Sequence, residues 1–397
     1  MLSEQEQEQL IAFAQDLVRL PSPSGQEGDV ADRLMAEMQR LGYDAVWRDA
    51  MGNVIGRLGS GEGPILLYNG HMDTVGVGDP AAWQHDPFGG VVEEGYLYGR
   101  GAVDMKGPLA AMVYGAWLYH RQRPTPRGTL YVVGVVQEEP NEGKAMQVLL
   151  SENNLRPDFV LLGEPSDFQV KRGHRGRVEI RVVTRGRACH ASNPTAGENA
   201  LYAAARVIFG IELLASTLPE DPVLGPGTIA VTHIESFAAS RNAIPDRAEL
   251  IIDRRLTLGE TEVKAVAEIQ SVVQKEGIRA EVYVPEYEME SYTQYRVRGR
   301  EYYPTWLIPE DHPYLRKVTR AVERALGTRP IVSTWAFSTD GVYTMGEAGI
   351  PTVGFGPGEE ALAHTADERI AVRDLIRAAH AYAAIAEEVL HDAAASH

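Results

Sequence analysis

Apolar positions in the first eighteen or so residues recur at helical spacing. Leu10, Ile11, Phe13, Ala14, Leu17 and Val18 share one face, Ser3 stands at the N-cap, and Glu6 completes a capping box, so the segment is predicted to be an amphipathic helix. A second amphipathic helix is predicted from Gly25 to about Gly42. Short unbroken apolar runs then alternate with helical stretches. ILLYNG (65–70), TLYVVGVVQ (129–137) and FVLLGE (159–164) read as buried strands; MKGPLAAMVYGAWLYHR (105–121) and a stretch near 143–153 read as helices. Strands this apolar are covered on both faces, and helices between them make most of the pairing parallel.

The pattern changes near residue 176. VEIRVVTRGRA (178–188) alternates apolar and polar, as a half-exposed strand does. A helix at about 198–216, strands TIAVTHIES (228–236) and AELIIDRRL (248–256), a helix near 260–276 and a strand IRAEVYVP (278–285) follow. This β-α-β-β-α-β order is that of a ferredoxin-like sandwich. From about 312 the chain returns to helix, strand and helix, with IPTVGFGPG (350–358) as a buried strand and an Ala-rich helix over 371–391. The prediction is an α/β domain with a mostly parallel sheet and helices on both faces, interrupted by a smaller α+β insert. Its parts are 1–176, the insert 177–296, and 297–397. The stretch 287–306, with Tyr287, Tyr292, Tyr295, Tyr302 and Tyr303, shows neither period and is read as a packed loop, with a substrate-covering segment as the alternative.

A length of 397 residues exceeds what one core usually supports, in agreement with two domains. The formal charge of −17 argues against a nucleic-acid binder, which would carry a basic face. The single cysteine, Cys189, excludes an internal disulfide and suits a reducing cytoplasm. The N-terminal segment has no basic n-region and no long apolar run, so neither a signal peptide nor a membrane span is expected. No G-x-G-x-x-G follows the first buried strand, which sets aside a dinucleotide-binding dehydrogenase.

Polar residues gather at strand ends, where open α/β sheets collect ligands. His71 ends ILLYNGH, with Asp73 two residues on; Asp104 lies in LYGRGAVDMKG; Glu138 and Glu139 end YVVGVVQEE; Glu164 ends FVLLGE; His364 follows FGPGEEALA. Singly, each has an ordinary explanation: a structural histidine, a solvated acidic pair, a cap on the helix at Met105, a turn before a proline. Together they differ, because carboxylates ending buried strands are costly unless a cation meets them. Two histidines and three carboxylates suit a pair of borderline divalent cations, with one carboxylate shared and a fourth left as a base. Asp73 is placed to accept the second ring N–H of His71.

The segments HMDTV (71–75), GRGAVDMKG (99–107), QEE (137–139), GEPS (163–166), RGRACHAS (185–192) and GFGPG…AHTADE (354–368) resemble, in order, those of the M20 metallopeptidases and deacylases. That group includes glutamate carboxypeptidase, succinyl-diaminopimelate desuccinylase, acetylornithine deacetylase and dimeric aminoacylases. KRGHRGRVEIRV (171–182), IDRRLTLGET (252–261) and WAFSTDGV (335–342) look like the branch linked to selenium metabolism. The resemblance implies a catalytic domain with a lid and dimerisation insert, and two divalent ions per chain, zinc with cobalt or manganese as alternatives. His71, Asp104 and Glu164 would hold one; Asp104, Glu139 and His364 the other. Glu138 would be the general base. His190 would reach a partner subunit's site as an oxyanion donor, which implies a homodimer. Asn242 and Arg255 occupy the family's substrate-binding spacing, with Arg254 the alternative arginine, and Arg suits a carboxylate. Gly356 could let backbone approach the substrate, or simply serve a turn. One departure from the family pattern is Pro140-Asn141-Glu142-Gly143, where many relatives have a more glycine-rich turn, which bears on pocket shape.

The function expected is hydrolysis of an amide in an N-acyl or N-carbamoyl amino acid or small peptide that carries a carboxylate. A dipeptidase or carboxypeptidase is the alternative. A catalytically silent scaffold would lack a ligand or the base, and none is missing.

Overall fold

Ser3 accepts the backbone N–H of Glu6 through its hydroxyl, and the Glu6 carboxylate accepts the N–H of Ser3 at 2.8 Å, the reciprocal cap that the opening residues require. The helix it starts, Glu4–Arg19, buries Leu10, Phe13, Ala14, Leu17 and Val18. The structure is a computed structural model, and it describes residues 1–60, 62–123 and 128–392.

Among the described residues the larger sheet has nine strands. Its centre runs Thr129–Val135, Ile65–His71, Phe159–Leu162 and Thr352–Gly354, all parallel. Antiparallel strands flank it: Ala45–Arg48 and Val54–Leu58 on one side, Val170–His174 and Trp306–Leu307 on the other, with Val332–Trp335 parallel to Val170–His174. Thr129–Val135 is buried at every position, as a central strand covered on both sides must be. Helices Lys106–Gln122, Pro313–Leu326 and Val372–Asp392 pack on this sheet and on one another. Because the central strands are parallel, His71 and the segments following Val135, Leu162 and Gly354 emerge at one edge.

The second sheet is antiparallel, ordered Thr228–Phe237, Arg247–Leu256, Gly176–Arg185, Ala280–Tyr283, with Tyr302–Tyr303 also on Gly176–Arg185. With helices Ala200–Ala215 and Glu262–Lys275 it makes the ferredoxin-like arrangement, and its own core contains Val178, Ile180, Val182, Leu250 and Ile252. Arg247–Leu256 alternates strictly, so Ala248, Leu250, Ile252 and Arg254 are buried while Asp253 and Arg255 face the other way.

The tyrosine-rich stretch differs from its expected loop. Glu286–Glu290 and Arg296–Arg300 form a hairpin, and Tyr302–Tyr303 and Trp306–Leu307 are strands. A period of two is present in EYEME and RVRGR, but the polar positions are paired charges, Glu290 with Arg296 at 2.6 Å and Glu288 with Arg298 at 3.1 Å. Tyr292 and Tyr295 belong to the hairpin's turn, whose side chains dock on the larger domain: Tyr292 Oη donates to the Gly52 carbonyl and Tyr295 Oη to Glu152. The expected strand at 350–358 is shorter, Thr352–Gly354. Among the described residues no helix is long and apolar enough to cross a membrane.

Candidate active site

Asp104 precedes helix Lys106–Gln122 without capping it; the N-cap is Met105, with no side-chain bond. Its carboxylate turns to two rings instead. Oδ1 lies 2.9 Å from His71 Nε2 and Oδ2 lies 3.1 Å from His364 Nε2. His364 Nε2 is also 3.1 Å from Glu139 Oε2, and His71 Nε2 is 3.8 Å from Glu164 Oε1. The five residues named as a ligand set thus come together around Asp104. Donor atoms of His71, Asp104 and Glu139 lie within 4.8 Å of one another, as do those of His71, Glu138 and Glu164. Both His364 and Gln137 are left-handed, at φ 62° and 54°, a conformation that costs non-glycine residues energy and is tolerated where the surroundings fix it.

Glu138 and Glu139 stand past the last strand residue, Val135, in a turn, so strand alternation does not set their directions. Glu139 faces Asp104 and His364; Glu138 is buried near Glu164, and its Oε1 has no hydrogen-bond partner among the described residues. Asp73 corrects the expectation. His71 Nδ1–H donates to the backbone carbonyl of Asp73 at 2.9 Å, while the Asp73 carboxylate stands 3.6 Å away. That carboxylate accepts the backbone N–H groups of Glu138 at 3.0 Å and Glu139 at 3.2 Å and the hydroxyl of Ser24 at 2.7 Å. The backbone oxygen fixes the ring, and the side chain fixes the acidic turn.

Burial and the Glu164 charge push the Glu138 carboxyl well above its ordinary range; burial does the same to Glu164, partly opposed by His71. Burial alone would also raise Asp104, but hydrogen bonds from His364 and His71 hold it low. The His364 ring is pushed up to about 10 by its bonds to Asp104 and Glu139. The cluster therefore favours positive charge on its imidazoles. Imidazole nitrogens and carboxylate oxygens converging in this way, with one buried oxygen left unpartnered, fit divalent cations of the zinc type.

A cavity of about 320 Å³ opens over the cluster, lined by Asp104, Glu138, Glu139, Glu164 and His364 from the larger domain and by Arg177 and Arg255 from the insert. The arginine ambiguity resolves here. Arg254 is buried, paired with Glu260 just before helix Glu262–Lys275 and with Glu268 on it, whereas Arg255 lines the cavity. His190 and Asn242 do not line it; both are exposed on the insert, with His190 Nε2 3.5 Å from Asn242 Nδ2 and His190 Nδ1 2.7 Å from the Ser192 hydroxyl. Gly356 also lies outside the lining. A Cβ there would meet the carbonyl oxygens of Glu164 at 2.4 Å and Gly163 at 2.5 Å, so the backbone it admits is that of the Glu164 segment.

Sequence reading missed several supports. Glu368 accepts the backbone N–H of Val103 at 2.9 Å and Asp104 at 3.1 Å and pairs with Arg100 at 2.6 Å. Asp340 accepts Asn69 Nδ2 at 2.8 Å and the Gly143 N–H at 2.6 Å, tying the His71 strand to the segment after Glu139. The neighbouring Thr339 is held by His174, whose Nε2 accepts its N–H at 3.0 Å. Arg100 and Glu368 fall inside the motif stretches, but nothing in the sequence says that they pair.

The profile of peptidase family M20/M25/M40 matches residues 67–388. The chain belongs to this family. As an M20 protein it is a metal-dependent hydrolase of amide bonds. Its sequence is 38% identical over 379 residues to the protein YgeY of Escherichia coli K12, covering 96% of this chain and 94% of that one. It is 30% identical to the succinyl-diaminopimelate desuccinylase of Methylorubrum extorquens, covering 92% of this M20 chain and 95% of the relative. The fold is shared with the crystal structure of Bacillus subtilis YXEP, a dinuclear metal-binding M20 peptidase, at a TM-score of 0.72 and 17% identity, over 97% of this chain and 98% of that one.

Proposed function

We propose that this M20 protein cleaves the amide of a small N-acyl or N-carbamoyl amino acid, or of a short peptide, with two divalent ions and Glu138 as general base. The observation that carries the reading is the Asp104 carboxylate, offering one oxygen to His71 and the other to His364, beside the unpartnered Glu138 Oε1. His71, Asp104 and Glu164 would hold one ion; Asp104, Glu139 and His364 the other. Such ions, zinc by the chemistry of the donors, when bound polarise the scissile carbonyl and acidify the attacking water. Glu138 takes the water's proton at its free Oε1 and returns it to the leaving nitrogen. Asp73 and Glu368 hold the backbones of Glu138–Glu139 and Asp104 in place through these steps. A cavity of about 320 Å³ suits an amino-acid-sized substrate.

The insert, read as a lid and dimerisation domain, supports a homodimer in which His190 reaches the partner's site. Helix Ala200–Ala215 exposes Tyr202, Phe209 and Leu213, and Thr228–Phe237 is an exposed sheet edge beside it. Such apolar faces and open edges are ordinarily covered. His190 and Asn242, meeting outside their own subunit's cavity, are suited to act across that interface. An acidic chain with one cysteine is suited to the cytoplasm.

Replacing Glu138 by Gln keeps the shape and removes the base. Turnover is expected to fall by about 10²–10⁴ while metal content stays at the wild-type value. Turnover near wild type would remove Glu138 from the role.

A further inference from the structure

Arg177 and Arg255 stand directly opposite each other on antiparallel strands, and both line the cavity. Like charges in that register destabilise a sheet unless an anion meets them. Their surroundings differ. Arg255 spends Nε and Nη2 on Asp253, at 2.8 and 3.2 Å. The Arg177 guanidinium rests over the Tyr303 ring, 4.6 Å from its centroid, and comes no closer than 3.7 Å to Glu142 and 3.9 Å to Glu301. Its Nε is buried without a hydrogen-bond partner among the described residues.

Among the described residues, three other buried atoms without partners belong to residues lining the same cavity: Glu138 Oε1, Glu142 Oε2 and Ser338 Oγ. Buried polar atoms are nearly always satisfied, so a group of orphans around one cavity indicates a ligand that satisfies them. Glu138 serves the hydrolysis already described. Arg177 Nε can only donate, so what it lacks is an acceptor, and the Ser338 hydroxyl can donate to the same group.

We propose that Arg177 is the residue that grips the substrate's carboxylate, with Arg255 adding charge beside it. This rests on the hydrolase reading above and assigns the substrate's carboxylate to Arg177 rather than to Arg255. The Nε–Nη2 edge of Arg177 has carboxylates only at ion-pair distance, 3.7 Å and beyond, and suits a bidentate carboxylate, whereas the matching edge of Arg255 is hydrogen-bonded to Asp253. The Tyr303 ring beneath fixes the plane of the fork, which lowers the ordering cost of binding. Glu142, 3.7 Å away, is the internal anion that the substrate must outcompete.

The test is calorimetric binding of succinate and of its uncharged analogue succinamide to the metal-loaded enzyme. The proteins are the wild type, Arg177→Met, Arg177→Lys, Arg255→Met and Glu142→Gln, with thermal melts to confirm folding. The wild type is expected to prefer succinate by about tenfold or more, the value of charge-assisted hydrogen bonds. Arg177→Met should cut that preference by about tenfold, Arg177→Lys should restore only part of the loss, Arg255→Met should keep most of the preference, and Glu142→Gln should tighten succinate. A wild type without the preference, or a preference lost in Arg255→Met and kept in Arg177→Met, overturns the proposal. Should Arg177→Met fail to fold, Arg177→Lys and Glu142→Gln decide it, and wild-type affinity in both counts against it. Binding is read without turnover, so failure to cleave any amide would refute the hydrolase reading separately.

Discussion

The carboxylate of Asp73 accepts the backbone N–H of Glu138 at 3.0 Å, and so holds the turn that carries both Glu138, the proposed base, and the neighbouring Glu139. Removing it should disturb both functions of that turn at once. Asp73→Ala is expected to lose about 10–100-fold in metal affinity, as outer supports of metal sites do, together with a fall in kcat. Metal titration against a competing chelator checks the first and steady-state kinetics the second. A variant that loses only turnover would mean that Asp73 acts on Glu138 alone.

His174 gives a pH dependence away from the acidic cluster. Burial lowers its ring from 6.5 to about 4, and the neutral form is fixed by Nδ1–H donating to the Arg175 carbonyl and Nε2 accepting from Thr339. The folded protein therefore stays unprotonated while the unfolded chain takes up a proton. Stability is retained above pH 6.5 and is lost as pH falls from 6.5 toward 4, by up to about 1.4 kcal/mol per pH unit for this single group. Urea unfolding of the wild type and His174→Gln at several pH values should show a shallower slope in the variant. Equal slopes would mean that His174 does not carry the effect.

The trans role of His190 predicts a specific complementation. His190→Ala should lower kcat by about 10²–10³, the cost of one oxyanion donor. Glu138→Gln should be inactive by itself. Mixed dimers of the two contain one site with both residues intact and should regain activity when the subunits are exchanged. Mixtures no more active than their components would rule out action of His190 across the interface, and an unchanged kcat in His190→Ala would place it outside the reaction.

Much of this architecture was legible along the chain, and the reasons are physical. Ser3 with Glu6, and the unbroken apolar runs ending in His71 and before Glu164, are local signals of a cap and of buried parallel strands, and both appear in the structure. The polar residues at those strand ends could be grouped because parallel strands deliver their ends to one edge. What was not legible depends on contacts distant in sequence. Glu368 reaches Asp104 and Asp340 reaches Asn69 across more than 260 residues. Arg177 becomes notable only through its cross-strand register with Arg255. The hairpin over Glu286–Arg300 was obscured because its alternating positions are charge pairs rather than an apolar face. That the backbone carbonyl of Asp73, and not its carboxylate, takes the His71 N–H is not legible either, since spacing cannot tell the two groups of one residue apart.

The central claim is a two-ion amide hydrolase built around Asp104. The most direct measurement is metal content of the purified protein alongside hydrolysis of N-acetyl, N-succinyl and N-carbamoyl amino acids and dipeptides, with and without chelator. The account predicts about two divalent ions per chain, the number such a site requires, and cleavage of one substrate class that stops when the ions are removed. A chain that binds no ion after reconstitution with zinc, cobalt or manganese, or cleavage indifferent to chelator, would contradict it.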